Sequence, residues 1–459
     1  MQIRVHWGAA GCGPLWLAAW LPTFGGCVAA TQAERYDALV VSVAESVVVS
    51  TSDPGAGLFP EDDSLSREAL IGAVLGRNPT VESARQAWRE ALSRYPQAIS
   101  RDDPKLSYES APRTIGSERG YRQVVRLSQR IEWPGKQELH GALVLAEAEA
   151  RSEDFQEVRL HLALTASLLF DDHYVVGRAL EINRGYRGWL ERSSRSAEAH
   201  YVAGRGSQQD PLWVEVELVL LEREQLVLEA RRRVIAAQIN GLLHRDPSAS
   251  VPPPPGGLEP ATAPAMARDE WSRRALRASP TIQASAIRRD GAQSSLALAQ
   301  RAQWPDLAIS GSYNSMWPHP EHQLMLGFSL EIPLHRGRVR AVVDEASARL
   351  ARAEAEHEAH LESVRVEVHE ALLGLEEALA REALTGERLL PVARQRLSAA
   401  EAGYRSGHGD FSDLVEAERR LRAFELEHEE ALADTWRRRA CLARAAGASL
   451  LTNEDGGPR

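Results

Sequence analysis

The strongest hydrophobic pattern in the chain is an apolar stripe at helical spacing in its second half. The stripe consists of Leu361, Val364, Val368, Leu372, Leu375 and Leu379, separated by three or four residues each. A mean interval of about 3.6 residues places these positions on one almost straight face of an α-helix, opposite a charged face. The pattern predicts a helix from about 338 to 402, which at about 1.5 Å per residue spans roughly 100 Å. Its only proline is Pro391, and we expect the stripe to pack against neighbouring helices.

Shorter segments ahead of the long helical patterns show the two-residue alternation of β-strands. Residues 324–332 alternate apolar and mostly polar positions, and residues 307–313 precede them across a Trp-Pro-His-Pro turn. Residues 124–131 repeat the alternation in the first half, with arginines on the polar side. Strands of this kind have one apolar and one wet face. The apolar face either contacts lipid or packs on a soluble core.

A sharp turn, which we call the corner, follows the predicted strands in each half. It consists of Trp133, Pro134 and Gly135 in the first half, and of Pro333 and Gly337 in the second. Proline ends strand pairing because it lacks the backbone donor, and glycine tolerates a sharp turn. Only four strands are predicted before very long helices, so a membrane sheet would have to be completed by other copies of the chain.

The same landmarks occur twice along the chain. The triplet at 78–80, Asn-Pro-Thr, returns as Ser-Pro-Thr at 279–281, a spacing of 201 residues. The spacing has drifted to 203 at two Tyr-x-x-Gly motifs, which contain Tyr201 with Gly204 and Tyr404 with Gly407. Tandem duplication followed by short insertions leaves such a series. Each half is predicted to begin with one helix, over about 66–95 and about 269–301.

The N-terminal residues 1–30 are predicted to be a secretory signal, because an apolar stretch follows Arg4 and ends in small residues. Two outcomes remain open: cleavage after Ala30, or lipoprotein processing at Cys27. The rest of the chain divides into an N-terminal extension (31–65), a first repeat (66–245), a Pro-rich linker (246–268), a second repeat (269–447) and a tail (448–459). The linker is expected to be extended and semi-rigid.

Composition narrows the possible functions. The net charge of −10 and the mixing of arginines with glutamates argue against a nucleic-acid partner. Cys441 is the only cysteine beyond the signal, so we expect no intramolecular disulfide and no cysteine metal site. After the signal, no run approaches the roughly 20 apolar residues of a spanning helix. No phosphate loop, nucleophile elbow or zinc-protease motif is present, and we expect neither an enzyme nor a cofactor.

The sequence resembles the TolC-like outer-membrane efflux family over nearly all of the chain after the signal. The resemblance is carried by LSQRIEWPGK (127–136), FSLEIPLHRGRVRAVVDEASARL (328–350) and GYRSGHGDFSDLVEAERRL (403–421). It implies a mainly α fold with a small β part, in which tandem-duplicated helical hairpins form a trimeric periplasmic α-barrel. Each chain would give four strands to a shared twelve-stranded transmembrane β-barrel.

The resemblance also implies an outer-membrane conduit with a long periplasmic extension. Its partners would be two further copies of the chain, a periplasmic adaptor, an inner-membrane proton-driven pump of the resistance-nodulation-division type and outer-membrane lipid. The strand that runs into Trp-Pro-Gly-Lys looks most like the heavy-metal cation branch, although the sequence does not identify the cargo. The alternative is a periplasmic helical adaptor or scaffold, held by a lipid on Cys27.

The family has an acidic ring at its periplasmic entrance, after the Tyr-x-x-Gly motif. With Tyr404 and Gly407 as that motif, the resemblance implies that the two acidic positions are Asp413 and Glu416. These residues are one helical turn apart and would give six carboxylates in a trimer, whose field favours cations. In the simpler interpretation, Asp413 starts a helix and Glu416 is solvated. Gly409 stands where family members often have a basic residue that latches the entrance, which leaves the latch unassigned.

Two further features are weaker candidates. The first-half equivalent of the entrance, residues 204–212, offers Arg205 and Asp210 without a clear role. His319 and His322 lie near the tip of the second predicted hairpin, two ligands short of a closed metal site. We interpret them as surface histidines that at most touch exported metal.

Overall fold

The structure is a computed structural model that describes residues 26–46, 64–111, 122–203, 207–262 and 266–450, with side chains from residue 30 onward. The first part contains α1 (Gly26–Glu45), α2 (Arg67–Arg77), α3 (Pro79–Ala98), β1 (Lys105–Ala111), β2 (Arg122–Ile131), α4 (Lys136–Val202) and α5 (Gln209–Leu242). The second part contains α6 (Arg268–Ala278), α7 (Pro280–Arg301), β3 (Asp306–Asn314), β4 (Leu324–Glu331), α8 (Arg336–Ala383), a π-helical segment (Leu384–Leu389), α9 (Leu390–Arg405) and α10 (Phe411–Ala445). The prediction of a mainly helical fold with a small four-stranded sheet is confirmed.

The first predicted helix of each half is in fact two helices. The chain breaks between α2 and α3 at Asn78 and between α6 and α7 at Ser279, where ψ is 122° and 119°. A proline follows each of these residues and disfavours the helical conformation for the residue before it. The same proline then suits the first turn of the next helix. Our single-helix predictions over 66–95 and 269–301 were therefore wrong at Pro79 and Pro280.

The four strands form one antiparallel sheet in the order β1-β2-β3-β4. The central pair, β2 and β3, joins the two halves of the chain, with Leu127 opposite Gly311 and Ile131 opposite Leu307. Directly paired residues share a face of the sheet. Leu106, Leu127 and Leu326 therefore lie in one apolar row with Gly311, and the neighbouring row holds Lys105, Ser128, Ser310 and Gly327.

Long helices continue from the sheet and pack side by side. α4 packs on α3, α5, α7 and α10, while α10 also packs on α8 and α9. Val364, Val368, Leu372 and Leu375 of the predicted stripe are buried and pack in one cluster with Ile282 and Leu442, with Leu361 and Leu379 partly buried beside them. The prediction that the stripe is core is confirmed.

The predicted helix over 338–402 runs without interruption from Arg336 to Arg405, but it includes the π-helical segment. This segment directly precedes Pro391, which is in the first turn of α9. A proline ring would clash with the carbonyl four residues earlier in a regular α-helix, and the wider π turn relieves such a clash. Pro391 indicates from the sequence where the helix departs from regular geometry. The sequence does not show that the departure is a π-helical segment.

The Pro-rich linker lies along the helices rather than away from them. The carbonyl of Pro253 accepts from Leu65 N (2.8 Å), and that of Glu259 accepts from Trp436 Nε1 (2.9 Å). Leu258 N donates to the hydroxyl of the buried Tyr174 (3.2 Å). The linker thus fastens the first half to α10, which belongs to the second.

α1 is docked on the first long helix and on α3. Tyr36 stacks on Tyr95 with ring centroids 4.8 Å apart, and Gln32 Nε2 donates to the carbonyl of Glu138 (3.4 Å). No helix in the described ranges combines the length and the apolarity that a membrane-spanning helix needs.

Candidate functional site

The corner between β2 and α4 is built around a left-handed glycine. Gly135 has φ 84°, a conformation that side chains rarely adopt, and a Cβ there would lie 1.5 Å from Arg301 Nη1. The Trp133 ring stacks on the Trp304 ring at 5.3 Å with 11° between the planes. The predicted corner residues of the first half therefore do come together, with Pro134 between the stacked tryptophan and the glycine.

Asp306, which no sequence pattern singled out, organises this corner. One oxygen, Oδ1, accepts from Trp133 N (3.0 Å) and Lys136 Nζ (2.8 Å), and the other accepts from Arg130 Nη2 (2.7 Å). Lys136 Nζ also donates to the carbonyl of Trp304 (2.9 Å). The carboxylate lies about 170 residues from its partners in sequence, so only the pairing of β2 with β3 reveals the contact.

The corner between β4 and α8 is simpler. The chain leaves the strand at Glu331, passes Pro333, and enters the helix at Arg336, whose N–H donates to the carbonyl of Leu334 (2.9 Å). Gly337 lies inside α8 and has open space where a Cβ would be. Pro333 therefore lies in the predicted corner, whereas Gly337 is a helical residue and not part of the turn.

The apolar face of the sheet is exposed. On β4, Leu324, Leu326 and Phe328 are 72%, 79% and 75% exposed. Exposed apolar side chains continue across the sheet on the other strands, at Leu106, Tyr108, Leu127, Ile131, Ile309 and Tyr313. A contiguous apolar surface of this kind indicates contact with another molecule or a membrane. Within the single chain, the predicted apolar face does not pack on a soluble core.

The turn between α9 and α10 has a tight backbone. Gly407 has φ 75°, and the N–H groups of His408 and Gly409 both donate to the carbonyl of Gly403 (3.0 Å). A Cβ on Gly409 would lie 3.0 Å from the carbonyl carbon of Gly403. A side chain at 409 would therefore be crowded against the backbone of Gly403 and Tyr404.

The aromatic residue of this motif anchors the turn to the first half of the chain. Tyr404 packs on Phe411 (centroids 5.4 Å), and its hydroxyl lies 3.0 Å from His200 Nδ1. Its counterpart Tyr201 is 44% exposed near the end of α4. The two motifs therefore differ in packing, and Gly204 and Arg205 lie outside the described residues.

Asp413 and Glu416 lie near the start of α10. Asp413 is exposed in the first helical turn. Glu416 is partly buried and pairs with Arg420 (2.8 Å) and Arg419 (3.8 Å) on its own helix. Asp210 is in the first turn of α5, where its Oδ2 accepts from Ser207 N (3.3 Å). One acidic group of the predicted ring is thus solvated, and the other is partly neutralised.

The histidine pair lies at the exposed tip of the β3–β4 hairpin. The rings of His319 and His322 are 6.1 Å apart, and His319 Nδ1 is 3.9 Å from Glu321 Oε1. Within the described parts of the chain, no group of three or more His, Cys, Asp and Glu side chains could hold a metal ion. The side chain of Cys27, the candidate for lipidation, lies outside the described side chains.

A partly buried carboxyl near the helical tip, that of Glu418, was not identified from the sequence. Burial, together with Glu425 and Glu401, raises the pKa of Glu418 to about 7. Its Oε2 atom is buried and has no hydrogen-bond partner among the described residues. Burial also raises the pKa of Glu425. A carboxyl with such a pKa changes its charge near neutral pH.

Comparison with known proteins supplies the family context. The family model described as "Outer membrane efflux protein" matches residues 271–448, which form most of the second half of the chain. A search of curated protein sequences finds no match. The matched region contains the second sheet hairpin, the long helices α8 and α9, and the Tyr404 turn.

Solved structures are similar over most of the chain. CusC, described in connection with transmembrane channel formation, is 17% identical and has a TM-score of 0.72, covering 86% of this chain and 98% of its own. The outer membrane protein VceC from Vibrio cholerae is 18% identical with a TM-score of 0.70, covering 83% of this chain and 96% of its own. The MtrE outer membrane channel of Neisseria gonorrhoeae is 18% identical with a TM-score of 0.68, covering 83% of this chain and 89% of its own. The chain therefore has the fold of these outer-membrane proteins, and its second half matches the outer membrane efflux family.

Proposed function

We propose that this protein is the outer-membrane channel of a tripartite efflux system, a passive conduit from the periplasm to the exterior. The observation that carries the proposal is the exposed apolar face of a sheet whose strands lead directly into very long helices. In a membrane, that face meets lipid and the opposite face, with Ser128, Ser310 and Ser329, lines a wet lumen. The long helices then extend the conduit into the periplasm.

The sheet supports assembly from several copies. Within the described residues, β1 and β4 each pair with a single strand and so form the two edges of the sheet. An open edge is unsatisfied in lipid, because backbone groups there find no water. Joining β4 of one copy to β1 of the next closes the sheet head to tail, and three copies give twelve strands.

The helical part supports the same closure. α5 packs mainly on α4, whereas α8 and α9 pack on α10, so these helices flank the α4–α10 pair. On α5, exposed apolar residues recur at seven-residue intervals, namely Leu212, Val219 and Leu226, and Trp213, Leu220, Val227 and Val234. Exposed apolar residues on the other flank are Val366, Leu373, Leu384 and Val392. Heptad spacing suits side-by-side helix pairing, here between α5 of one copy and α8–α9 of the next.

The N-terminus supports a lipid anchor at Cys27. Gln32 contacts the first turn of α4, which follows the corner at Gly135. The backbone of α1 begins at Gly26, so Cys27 precedes Gln32 by somewhat more than one helical turn. An acyl chain attached there would reach the membrane surface at the level of the corner.

The cargo we propose is a heavy-metal cation, delivered by a proton-coupled inner-membrane pump through a periplasmic adaptor. Asp413 and Glu416, repeated three times, would form the cation-favouring ring at the entrance. This part rests on the resemblance of the strand and corner at 127–136 to the heavy-metal cation branch.

Single-channel recording in planar bilayers tests the proposed channel and its ring. The wild type should conduct and prefer cations, and Asp413→Asn with Glu416→Gln should reduce that preference. Asp210→Asn is the matched control, because Asp210 is an acidic residue in the first turn of α5, after the turn between α4 and α5. A protein that never conducts favours the adaptor or scaffold, and an unchanged preference in the double variant removes the ring assignment.

A further inference from the structure

The first turns of α8 carry a run of basic residues. Arg336, Arg338 and Arg340 are all exposed, and His335 directly precedes them. No aspartate or glutamate occurs between Glu331 and Asp344. We call the three arginines the arginine collar: Arg336 and Arg340 share one side of the helix, and Arg338 lies on the roughly opposite side.

The collar is in an electrostatically unfavourable place. The N-terminal end of a helix carries partial positive charge and favours acidic side chains, yet the first turn of α8 has none. Within the described residues, none of the three guanidinium groups has an ion pair or a hydrogen-bond acceptor. Farther along the same helix, Arg349 and Arg365 pair with Glu345 and Glu362. The unpaired charges are therefore special to the helix start.

The first half of the chain provides an internal comparison. At the equivalent corner, the only basic residue in the first turn of α4 is Lys136, and its charge is neutralised by Asp306 at 2.8 Å. The second corner has three cations and no such carboxylate. An external anion would compensate the charge that the fold leaves unbalanced.

The position of the collar indicates which kind of anion would bind to it. It directly follows three exposed apolar residues at the end of β4, Leu330 (58%), Ile332 (61%) and Leu334 (79%). Two residues beyond Arg340, Val342 lines a cavity shared with Glu132 and Lys136 of the first corner. The collar thus lies at the level of the stacked Trp133 and Trp304, where aromatic side chains mark a membrane interface.

We infer that the arginine collar binds the phosphate groups of anionic phospholipids in the leaflet that faces the periplasm. This inference rests on the proposed function, because it places the apolar face of the sheet in the membrane. Guanidinium groups bind phosphate through paired N–H donors, and each basic residue near an anionic surface strengthens binding about fivefold. The collar would fix how deeply the sheet sits in the membrane.

The test measures lipid binding to the full-length protein in detergent, by native mass spectrometry after delipidation. Phosphatidylglycerol and phosphatidylcholine with the same acyl chains are titrated separately. The wild type should bind phosphatidylglycerol at least tenfold more tightly. Arg336→Gln, Arg338→Gln and Arg340→Gln together should abolish that preference, whereas the lysine triple variant should keep most of it. The control is Arg349→Gln, Arg352→Gln and Arg365→Gln, with the same charge change on the same helix.

These outcomes distinguish a failure of the lipid-binding inference from a failure of the proposed channel function. A wild type without headgroup preference, or a glutamine variant that binds like the wild type, overturns the inference even if the channel conducts. A control that loses the preference equally also overturns it, because net charge would then explain the effect. If the glutamine variant fails to assemble, the lysine variant decides: retained assembly and retained preference support the inference, and loss of the preference overturns it. Failure of the wild type to conduct concerns the proposed function alone.

Discussion

At the scale of single residues, Asp306 connects the two halves of the chain through its carboxylate. Its carboxylate binds Arg130, Lys136 and the backbone of Trp133 while it is itself 9% exposed. A buried carboxylate with two cationic partners leaves unpaired charge behind when it is removed. The stability of the corner should therefore depend more on Asp306 than on Pro134 or Gly135 alone.

Asp306→Asn should lower the free energy of unfolding by about 3 kcal/mol, since Lys136 would remain mostly buried without its partner. Thermal unfolding followed by the helical circular dichroism signal measures the change. Glu331→Gln is the matched control, because Glu331 is 78% exposed and 3.8 Å from Arg130, and it should change little. Equal effects of both variants would contradict the role of Asp306.

Glu418 should make the stability of the helical tip depend on pH. Its pKa is raised to about 7, so the folded protein keeps a proton that the unfolded chain loses at lower pH. Stability from this group is full below the ordinary glutamate range and falls as the pH rises toward 7. Glu418→Gln should therefore raise the melting temperature more at pH 8 than at pH 5. A gain that is the same at both values would show that the carboxyl does not titrate there.

At the scale of elements, prolines and glycines determine where the helices and strands begin and end. Pro79 and Pro280 split helices, Pro391 follows the π-helical segment, and Gly135 permits the turn into α4. Each acts through backbone geometry, with no need for a distant partner. The lengths of the elements are thus largely local properties of the sequence.

The strand-to-helix corner should control assembly. Trp133→Ala with Pro134→Ala removes the stacking on Trp304 and frees the backbone before Gly135, so the angle between sheet and helix is no longer fixed. The fraction of heat-resistant oligomer on gels should fall several-fold. Trp317→Ala, at the far end of the sheet and 46% exposed, is the control. Normal oligomers from the double variant would refute this role for the corner.

The sequence predicted elements better than contacts. The strand alternation at 324–332 and the stripe from Leu361 to Leu379 are periodic, and both correspond to observed elements. Asp306 escaped notice because its partners are distant in sequence, and Glu418 because its pKa depends on burial by other helices. Gly337 was assigned to a corner because the composition around it suggested one, yet the helix begins before it. Local sequence patterns identify helices and strands, whereas contacts between residues distant in sequence become visible only in the folded structure.

At the scale of the whole molecule, the single chain is an open structure with matching edges. Its sheet has β1 and β4 at the edges, and its helical layer exposes apolar residues on α5 and on α8–α9. Such head-to-tail contacts form a closed ring when the rotation between successive copies is a whole fraction of a full turn, with no rise along the axis. In the proposed assembly, closure would cover both sheet edges and the exposed apolar residues of α5 and α8–α9, while the apolar face of the sheet would meet lipid.

The central claim is that copies of this chain close into one outer-membrane channel. The most direct test is the migration of the protein, extracted from outer membranes, on denaturing gels with and without boiling. Our account predicts a band at about three chain masses that converts to a single chain only on heating. A soluble or inner-membrane protein that migrates as one chain without boiling would contradict it.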